Sequence, residues 1–357
     1  MRCLEGFVSS VVALLIVAED GRSVTDDRSF GMGNFNYEKS RAMRILIVGA
    51  GSTGGYFGGR LAQAGRDVTF LVRRARAEQL RSGGLQIVSP HGDVTLAPKL
   101  ISAEQITAPF DVVLITVKAF SLDAAIVDLA RAVGPETMLL SVLNGMKHLD
   151  TLAARFGQEP IVGCVCKVAT SLDDQGHIVQ LNKLHALAYG EINGSLSSRT
   201  DRLDKAMQDA GFDARLSRTI EREMWEKWIL LASLGGITCL MRGNVGEIEA
   251  APGGVEFSLR FLNEVRSVVT AAGHAPSEAF LAGTKSQLTE KGSNLTSSMY
   301  RDLQQRRPVE ADQILGDLLE RGRSLSVSTP LLAAAFANLS VYQNGYRRSN
   351  DDQSVAA

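Results

Sequence analysis

The sequence is poor in the residues that mark disulfide scaffolds, metal centres and nucleic-acid binding. Its 357 residues include four cysteines, none of which forms a Cys-x-x-Cys pair or lies at zinc spacing from a histidine. Lysine and arginine total 38 against 39 for aspartate and glutamate, so no charge excess favours nucleic acid or an anionic membrane. We therefore expect a reduced, cytoplasmic protein with no metal site and no nucleic-acid or membrane partner.

A hydrophobic run long enough to span a membrane is also lacking. The apolar stretch at residues 7–18 is too short to cross a bilayer as a helix, and no clear signal-peptide cleavage site follows it. Polar, Gly-rich sequence then leads to Met43, where a strong strand pattern begins. We interpret residues 1–42 as a non-native or disordered extension and the polar residues 347–357 as a disordered tail.

Between these tails, short apolar strands first alternate with helices. Continuous apolar runs, as at residues 44–48 and 111–117, are typical of strands buried on both faces of a parallel sheet. The alternation predicts an α/β fold whose N-terminal Rossmann domain, with a doubly wound and mainly parallel sheet, covers residues 43–217. Helical spacing alone then predicts an all-α C-terminal domain over residues 218–346.

A glycine-rich turn joins the first predicted strand to the first predicted helix. Gly49, Gly51 and Gly54 form a GxGxxG pattern, with Ser52 and Thr53 inside it. In this context the glycines permit a tight turn, a close approach of the backbone to a pyrophosphate, and tight packing of helix on strand. The free N–H groups at the helix N-terminus then bind the phosphates. The motif predicts that these five residues bind a dinucleotide.

The end of the second predicted strand indicates which dinucleotide. Enzymes that use NAD usually place an acidic residue there to bind the ribose 2′-hydroxyl. This strand instead ends in Arg73 and Arg74. A guanidinium binds the 2′-phosphate of NADP in a fork, so we expect NADP(H) with Arg73 as a binding residue. A solvated basic turn is the alternative.

Two more residues follow the carboxyl ends of predicted strands, where ligands bind in open α/β sheets. Lys118 ends the run at residues 111–117, and Asn144 follows the strand predicted at residues 137–143. Both are candidates to bind cofactor and substrate. On these residues alone, a surface lysine and an ordinary Asn-Gly turn remain open.

From Met43 to about Asn344 the chain resembles the ketopantoate reductases, or 2-dehydropantoate 2-reductases. The resemblance rests on GAGSTGGYFGGRLAQAG, ITVKAF, LLSVLNGM, EMWEKW and NLTSSMYRDLQQRRPVEADQILG, of which the last two are the most specific. It implies NADPH-dependent reduction of a 2-oxo acid, foremost ketopantoate to pantoate in pantothenate biosynthesis, with Lys227 as the catalytic lysine. Hydride addition to a ketone leaves negative charge on oxygen, which a nearby ammonium stabilises and protonates.

The resemblance also assigns Ser298 to the substrate carboxylate and Glu310 to the substrate hydroxyl, which makes Glu310 a second catalytic candidate. Pro308 interrupts the helical run between them and is predicted to begin a new helix, with Glu310 in its first turn. In that position Glu310 would also suit the helix dipole, which is the alternative role.

One departure from the family pattern concerns the substrate. One and two turns after Lys227, where the ketopantoate enzymes commonly carry asparagines, this chain has Leu231 and Gly235. Both share the helix face of Lys227, so the site should be drier and differently shaped. A related reductase of a branched or aromatic 2-oxo acid is therefore the alternative function, followed by a non-catalytic NADPH-binding regulator. A homodimer is left open.

Overall fold

The structure is a computed structural model that describes residues 41–355. The interpretation of residues 1–42 falls almost wholly outside this range. Within it, no helix is both long enough and apolar enough to cross a membrane. The described residues form an N-terminal half built on one sheet and a C-terminal half of helices, which confirms the predicted fold class.

One mixed sheet organises the N-terminal half. In the described range it contains ten strands: β1 (Arg44–Val48), β2 (Asp67–Leu71), β3 (Leu85–Val88), β4 (Val94–Leu96), β5 (Lys99–Ile101), β6 (Val112–Ile115), β7 (Met138–Ser141), β8 (Ile161–Leu172), β9 (Ile178–Gly190) and β10 (Asp213–Leu216). The strand order is β4-β3-β9-β8-β7-β6-β1-β2-β5, with β10 beside β9. The central strands pair in parallel, whereas β3–β4 and β8–β9 are antiparallel.

The side of the sheet on which new strands are added changes at β1. It adds β2 on one side of β1 and later returns to place β6 on the other side. At such a switch point the connections after the two strands diverge and leave a crevice at their carboxyl ends. The strands that form this crevice are almost completely buried, since Ile45, Leu46, Val112 and Val113 are 0% exposed. The crevice therefore has a rigid floor.

Helices cover both faces of the sheet and form the C-terminal half. The described range contains twelve α-helices: α1 (Ser52–Gln63), α2 (Arg74–Gly83), α3 (Leu122–Leu129), α4 (Lys147–Phe156), α5 (Ser198–Met207), α6 (Ile220–Met241), α7 (Val245–Ala250), α8 (Gly254–Ala271), α9 (Glu278–Leu288), α10 (Ser298–Gln304), α11 (Asp317–Ser324) and α12 (Pro330–Val355). Buried side chains of α1, α2 and α5 pack on one face of the sheet, and those of α3 and α4 pack on the other.

Helix α6 is the centre of the C-terminal half. It packs against α8, α10 and α12, and most of its residues are buried. Gly236 permits a close approach of α8, because a Cβ atom there would lie 2.0 Å from the Phe261 ring. Trp228 is 1% exposed, and its indole N–H donates to the carbonyl of Ile314 at 2.9 Å. These contacts fix the part of α6 that carries Lys227.

Two predictions for the C-terminal half need correction. The residues after Pro308 have no regular structure through Glu310, so Glu310 precedes the next helix instead of lying in its first turn. Helix α12 continues to Val355 through most of the expected disordered tail, since extending a packed helix is easier than nucleating one.

Candidate active site

A cavity of about 1790 Å³ lies at the carboxyl ends of β1, β2 and β6 and extends to α6 and α10. Its wall is shared by the two halves of the molecule. It includes ten of the eleven predicted site residues: Gly49, Gly51, Ser52, Thr53, Arg73, Lys118, Asn144, Lys227, Ser298 and Glu310. Gly54 does not line it. Residues far apart in sequence are thus brought to one cavity.

The glycine-rich turn lies between β1 and α1 and forms one end of this cavity. Gly49 has a φ of +95°, and the Thr116 hydroxyl donates to its carbonyl at 2.8 Å. A Cβ atom at Gly51 would meet nothing within 4 Å, so this side of the turn is open to the cavity. At Gly54 it would lie 2.1 Å from the Thr116 hydroxyl oxygen, which makes Gly54 a packing residue. The turn therefore leaves room for a phosphate above Gly51.

Three arginines surround the start of α2 beside this turn. Arg73 is exposed and precedes α2, and Arg74 is exposed and pairs with a glutamate one turn later. Arg76, which was not among the predicted site residues, donates from Nε to the carbonyl of Ala50 at 2.9 Å and from Nη1 to that of Gly176 at 3.0 Å. Arg76 therefore fastens the glycine-rich turn to the end of the β8–β9 hairpin. In the sequence, Arg76 could have been found as the third arginine of the RRAR run.

Lys118 and Asn144 lie three residues beyond the paired ends of β6 and β7. Both side chains meet Glu310, which comes from the other half of the molecule. Glu310 Oε2 lies 3.6 Å from Lys118 Nζ and accepts from Asn144 Nδ2 at 3.4 Å, while Oε1 accepts the Ala119 N–H at 3.0 Å. The Glu310 carboxylate is thus directed across the cavity at the sheet.

Asp302 on α10 also belongs to the group formed by Lys118, Asn144 and Glu310, but it was not among the predicted site residues. Its Oδ2 lies 3.1 Å from Lys118 Nζ. Burial acts to lower the pKa of Lys118, but the charges of Glu310 and Asp302 outweigh it and raise the pKa above its ordinary value. Lys118 is therefore a charged lysine whose ammonium is shared between two carboxylates. The available signal was the spacing of four between Ser298 and Asp302 on a short helix.

The turn at Asn144 is shaped by its glycine. Gly145 has a φ of +80°, a backbone conformation that other residues rarely adopt. A Cβ atom there would lie 2.5 Å from the carbonyl oxygen of Gln313, in the π-helical turn Asp312–Gly316 that follows Glu310. The absence of a side chain lets the two segments touch, and this contact brings Asn144 to Glu310.

Lys227 contrasts with Lys118. It is partly buried on α6 and lines the cavity, and within the described range no carboxylate forms an ion pair with it. Its charge reaches His148 at the start of α4. Burial and the charge of Lys227 lower the pKa of His148 to about 3, so this histidine is neutral. Neither ring nitrogen of His148 has a hydrogen-bond partner among the described residues. The Lys227 ammonium is therefore available to a ligand.

Ser298 begins α10, and its position is fixed by the residue before it. The Ser297 hydroxyl accepts the Tyr300 N–H at 2.9 Å and lies 3.0 Å from the Thr238 hydroxyl on α6. This capping bond anchors the first turn of α10 against α6. Ser298 lies on the cavity wall, as does Arg301 one turn later.

The cavity wall after Lys227 is largely apolar, although Gln287 and Thr296 also line the cavity. It is formed by Leu231 and Leu234 on α6, with Phe280 and Leu295 from neighbouring segments. Gly235 does not leave a gap, because a Cβ atom there would lie 2.7 Å from the terminal methyl of Met299. The methyl of Met299 therefore occupies the space beside Gly235. This part of the wall suits a hydrocarbon group better than a hydroxyl.

Both halves of the chain match known family profiles. The profile described as "Ketopantoate reductase PanE/ApbA" matches residues 45–194, and "Ketopantoate reductase PanE/ApbA C terminal" matches residues 219–343. The first match contains the glycine-rich turn, Lys118 and Asn144. The second contains Lys227, Ser298 and Glu310. The two profiles thus cover both walls of the cavity.

Individual proteins agree with these profiles. The chain is 36% identical over 301 residues to "Uncharacterized oxidoreductase YkpB" of Bacillus subtilis (strain 168), covering 84% of this chain and 99% of that relative. It also resembles the crystal structure of 2-dehydropantoate 2-reductase from Methylococcus capsulatus, with 25% identity, a TM-score of 0.76, and coverage of 85% and 98% of the two chains. A ternary structure of D-mandelate dehydrogenase with NADH and anilino(oxo)acetate shares the fold at 21% identity and a TM-score of 0.77, covering 85% and 100%. Because two profiles match in order and a relative aligns over almost its whole length, the chain belongs to the ketopantoate reductase PanE/ApbA family and is an NAD(P)-dependent oxidoreductase.

Proposed function

We propose that the protein reduces a 2-oxo acid to the 2-hydroxy acid with NADPH, and that ketopantoate is the first substrate to test. The main observation behind this proposal is the position of the Lys227 ammonium group. It lines the same cavity as the glycine-rich turn and has no ion-pair partner among the described residues. A cation left unpaired in a partly buried position is suited to a substrate oxygen that gains negative charge.

The residues around the cavity divide the work of such a reduction. The glycine-rich turn and Arg73 would hold the dinucleotide, and its nicotinamide would supply a hydride to the carbonyl carbon of the substrate. Lys227 then donates a proton to the carbonyl oxygen as the alkoxide forms. Glu310, held by the Ala119 N–H, accepts a hydrogen bond from the new hydroxyl. Lys118 and Asn144 fix Glu310 and border the place where cofactor and substrate meet.

The preference for NADPH rests on the start of α2. Arg73 follows β2 directly after Val72 and lines the cavity, and no carboxylate occupies the position after β2. An acidic residue there would bind the ribose 2′-hydroxyl and repel a 2′-phosphate. The exposed guanidinium of Arg73 instead favours the phosphate.

A second candidate substrate is favoured by the apolar wall after Lys227. The wall made by Leu231, Leu234 and Phe280 offers no hydrogen bond to the terminal hydroxyl of ketopantoate. A buried hydroxyl without a partner costs about 1–3 kcal/mol. A 2-oxo acid with a branched or aromatic hydrocarbon side chain would avoid this cost.

A substrate screen tests the proposal. The protein is incubated with NADPH or NADH and a panel containing ketopantoate, 2-oxoisovalerate, 2-oxoisocaproate, phenylpyruvate and phenylglyoxylate, and cofactor absorbance is followed. We expect steady NADPH consumption with at least one acid and slower consumption of NADH. Tight NADPH binding without consumption in the presence of any 2-oxo acid would instead support the regulator.

A further inference from the structure

Arg301 is a cavity residue whose charge is not used by the protein itself. It lies on α10, one turn after Ser298 and on the same face, and is half-buried. Its Nη1 donates to the Thr296 carbonyl at 3.1 Å and to the Thr296 hydroxyl at 3.3 Å. The other guanidinium nitrogens donate to no acceptor in the described range, and no carboxylate forms an ion pair with Arg301 there. Several donors therefore remain for a ligand.

The nearest carboxylate in sequence is already engaged. Asp302 pairs with Lys118 at 3.1 Å, on the side of α10 that faces the sheet. Burial lowers the pKa of Arg301, and the charge of Asp302 opposes this effect without cancelling it. A half-buried guanidinium bonded only to neutral oxygens is costly unless an anion binds it. Its contact with Thr296 holds it in place, so binding would need little reordering.

We propose that Arg301 binds the carboxylate of the substrate, with Ser298 as a second donor. The proposal rests on the proposed function, because it assigns the charged group of the 2-oxo acid. A guanidinium matches a carboxylate in a fork of two parallel hydrogen bonds, which a serine alone cannot provide. The carboxylate is then held at α10 while the adjacent carbonyl faces Lys227. Arg301 thereby determines that an acid, and not its ester or amide, is accepted.

Kinetics of Arg301→Gln test the assignment with 2-oxoisovalerate as the probe. We expect KM for this acid to rise about 10- to 100-fold, as for the loss of a charged hydrogen bond, while NADPH affinity stays unchanged. Arg301→Lys keeps the charge but loses the fork and should lie between the two. Arg307→Gln is the matched control, since it removes one charge from an exposed arginine on the same wall. If Arg307→Gln raises KM as much as Arg301→Gln, or if Arg301→Gln weakens NADPH binding instead, the proposal is wrong.

A binding measurement separates this proposal from the proposed reaction. 2-Hydroxyisovalerate and its uncharged amide are titrated into NADP⁺-saturated protein by calorimetry. The wild-type protein should bind the acid about 10- to 100-fold more tightly than the amide, and Arg301→Gln should remove the difference. An equal preference for the acid in both proteins overturns the proposal. Loss of the preference in the variant, without turnover of any 2-oxo acid, supports the carboxylate site and contradicts the reductase.

Discussion

The two ends of the cavity are built from different kinds of sequence. The end with the glycine-rich turn comes from one continuous stretch, residues 49–76, which contains α1, β2 and the start of α2. The end with the two lysines draws on five separate segments: those at Lys118, Asn144, Lys227, Ser298 and Glu310. The first end, which we call the local end, is defined by local structure. The second end, which we call the assembled end, exists only once both halves have folded and packed together. Variants should therefore affect the two ends independently.

Lys227→Ala should have the largest effect, and this effect should be confined to the assembled end. If Lys227 donates the proton, kcat should fall by roughly 10²–10⁴-fold, while NADPH binding should stay close to the wild-type value. Lys227→Arg keeps the positive charge and should retain NADPH binding as well. Fluorescence titration of NADPH and steady-state kinetics give the two quantities.

A structural effect of Lys227→Ala is checked by circular dichroism and Tm. Removing a partly exposed lysine costs little stability, so both should remain near the wild-type values. A folded variant that binds NADPH and keeps near-normal kcat would rule out Lys227, and the proton donor would then be sought at Lys118.

Gly145→Ala should disturb the assembled end indirectly, through the backbone contact that brings Asn144 to Glu310. The new Cβ atom would lie 2.5 Å from the Gln313 carbonyl oxygen, and the φ of +80° already disfavours alanine. We expect a loss of about 1–3 kcal/mol in the free energy of unfolding beyond the conformational penalty, and a lower kcat because Asn144 and Glu310 separate.

Gly65→Ala is the matched control for Gly145→Ala. Gly65 has a φ of +77°, but a Cβ atom there would meet nothing within 4 Å. The Gly65→Ala variant should lose about 1–2 kcal/mol in the free energy of unfolding from the backbone conformation alone, and it should keep its kcat. Equal losses of stability and activity in both variants, measured by urea unfolding and kinetics, would contradict the role given to the Asn144 turn.

Arg73→Ala should disturb the local end alone. Loss of one charged hydrogen bond to the 2′-phosphate suggests a penalty of about 1.5–3 kcal/mol, seen as a higher KM for NADPH with little change for NADH. Arg74→Ala is the control, because the Arg74 side chain is 92% exposed and paired with Glu78. If the wild-type protein uses NADH as well as NADPH, the interpretation of this turn fails before any variant is made.

His148 in the assembled end should make the free energy of unfolding depend on pH. Burial and the charge of Lys227 hold its pKa at about 3, below the ordinary 6.5, so below pH 6.5 the unfolded chain binds a proton that the folded protein does not. The associated stability is complete above pH 6.5 and is lost as pH falls towards 3, by about 1.4 kcal/mol per pH unit. His148→Leu should flatten this part of the curve of unfolding free energy against pH. An unchanged slope would show that other groups cause it.

The local end was predictable because its signals are close together. The predicted strand at residues 44–48 matches β1, and the helix predicted to follow the glycine-rich turn is α1 (Ser52–Gln63). A buried strand, a glycine turn and a helix N-terminus lie in one uninterrupted sequence, and each sets the next. Arg76 was missed because its partners, the carbonyls of Ala50 and Gly176, give no signal in the sequence.

The assembled end was predictable only by resemblance. Nothing local to Glu310 indicates that its carboxylate accepts the Ala119 N–H across the cavity. Asp302 and His148 went unnoticed because their roles depend on Lys118 and Lys227, which reach them from other segments. Such contacts are set by how helices pack, which a pattern of apolar spacing does not specify.

The bond between Glu310 and the Ala119 N–H also has a consequence for motion. It joins the helical half to the segment after β6, and the ion pair between Arg321 and Asp150 at 2.8 Å joins the helical half to α4. Any movement that drew the two halves apart here would break these contacts, together with the contacts of Asp302 with Lys118 and of Glu310 with Asn144. We therefore expect the Glu310 carboxylate to be correctly oriented only while the two halves are in contact, as they are in this structure.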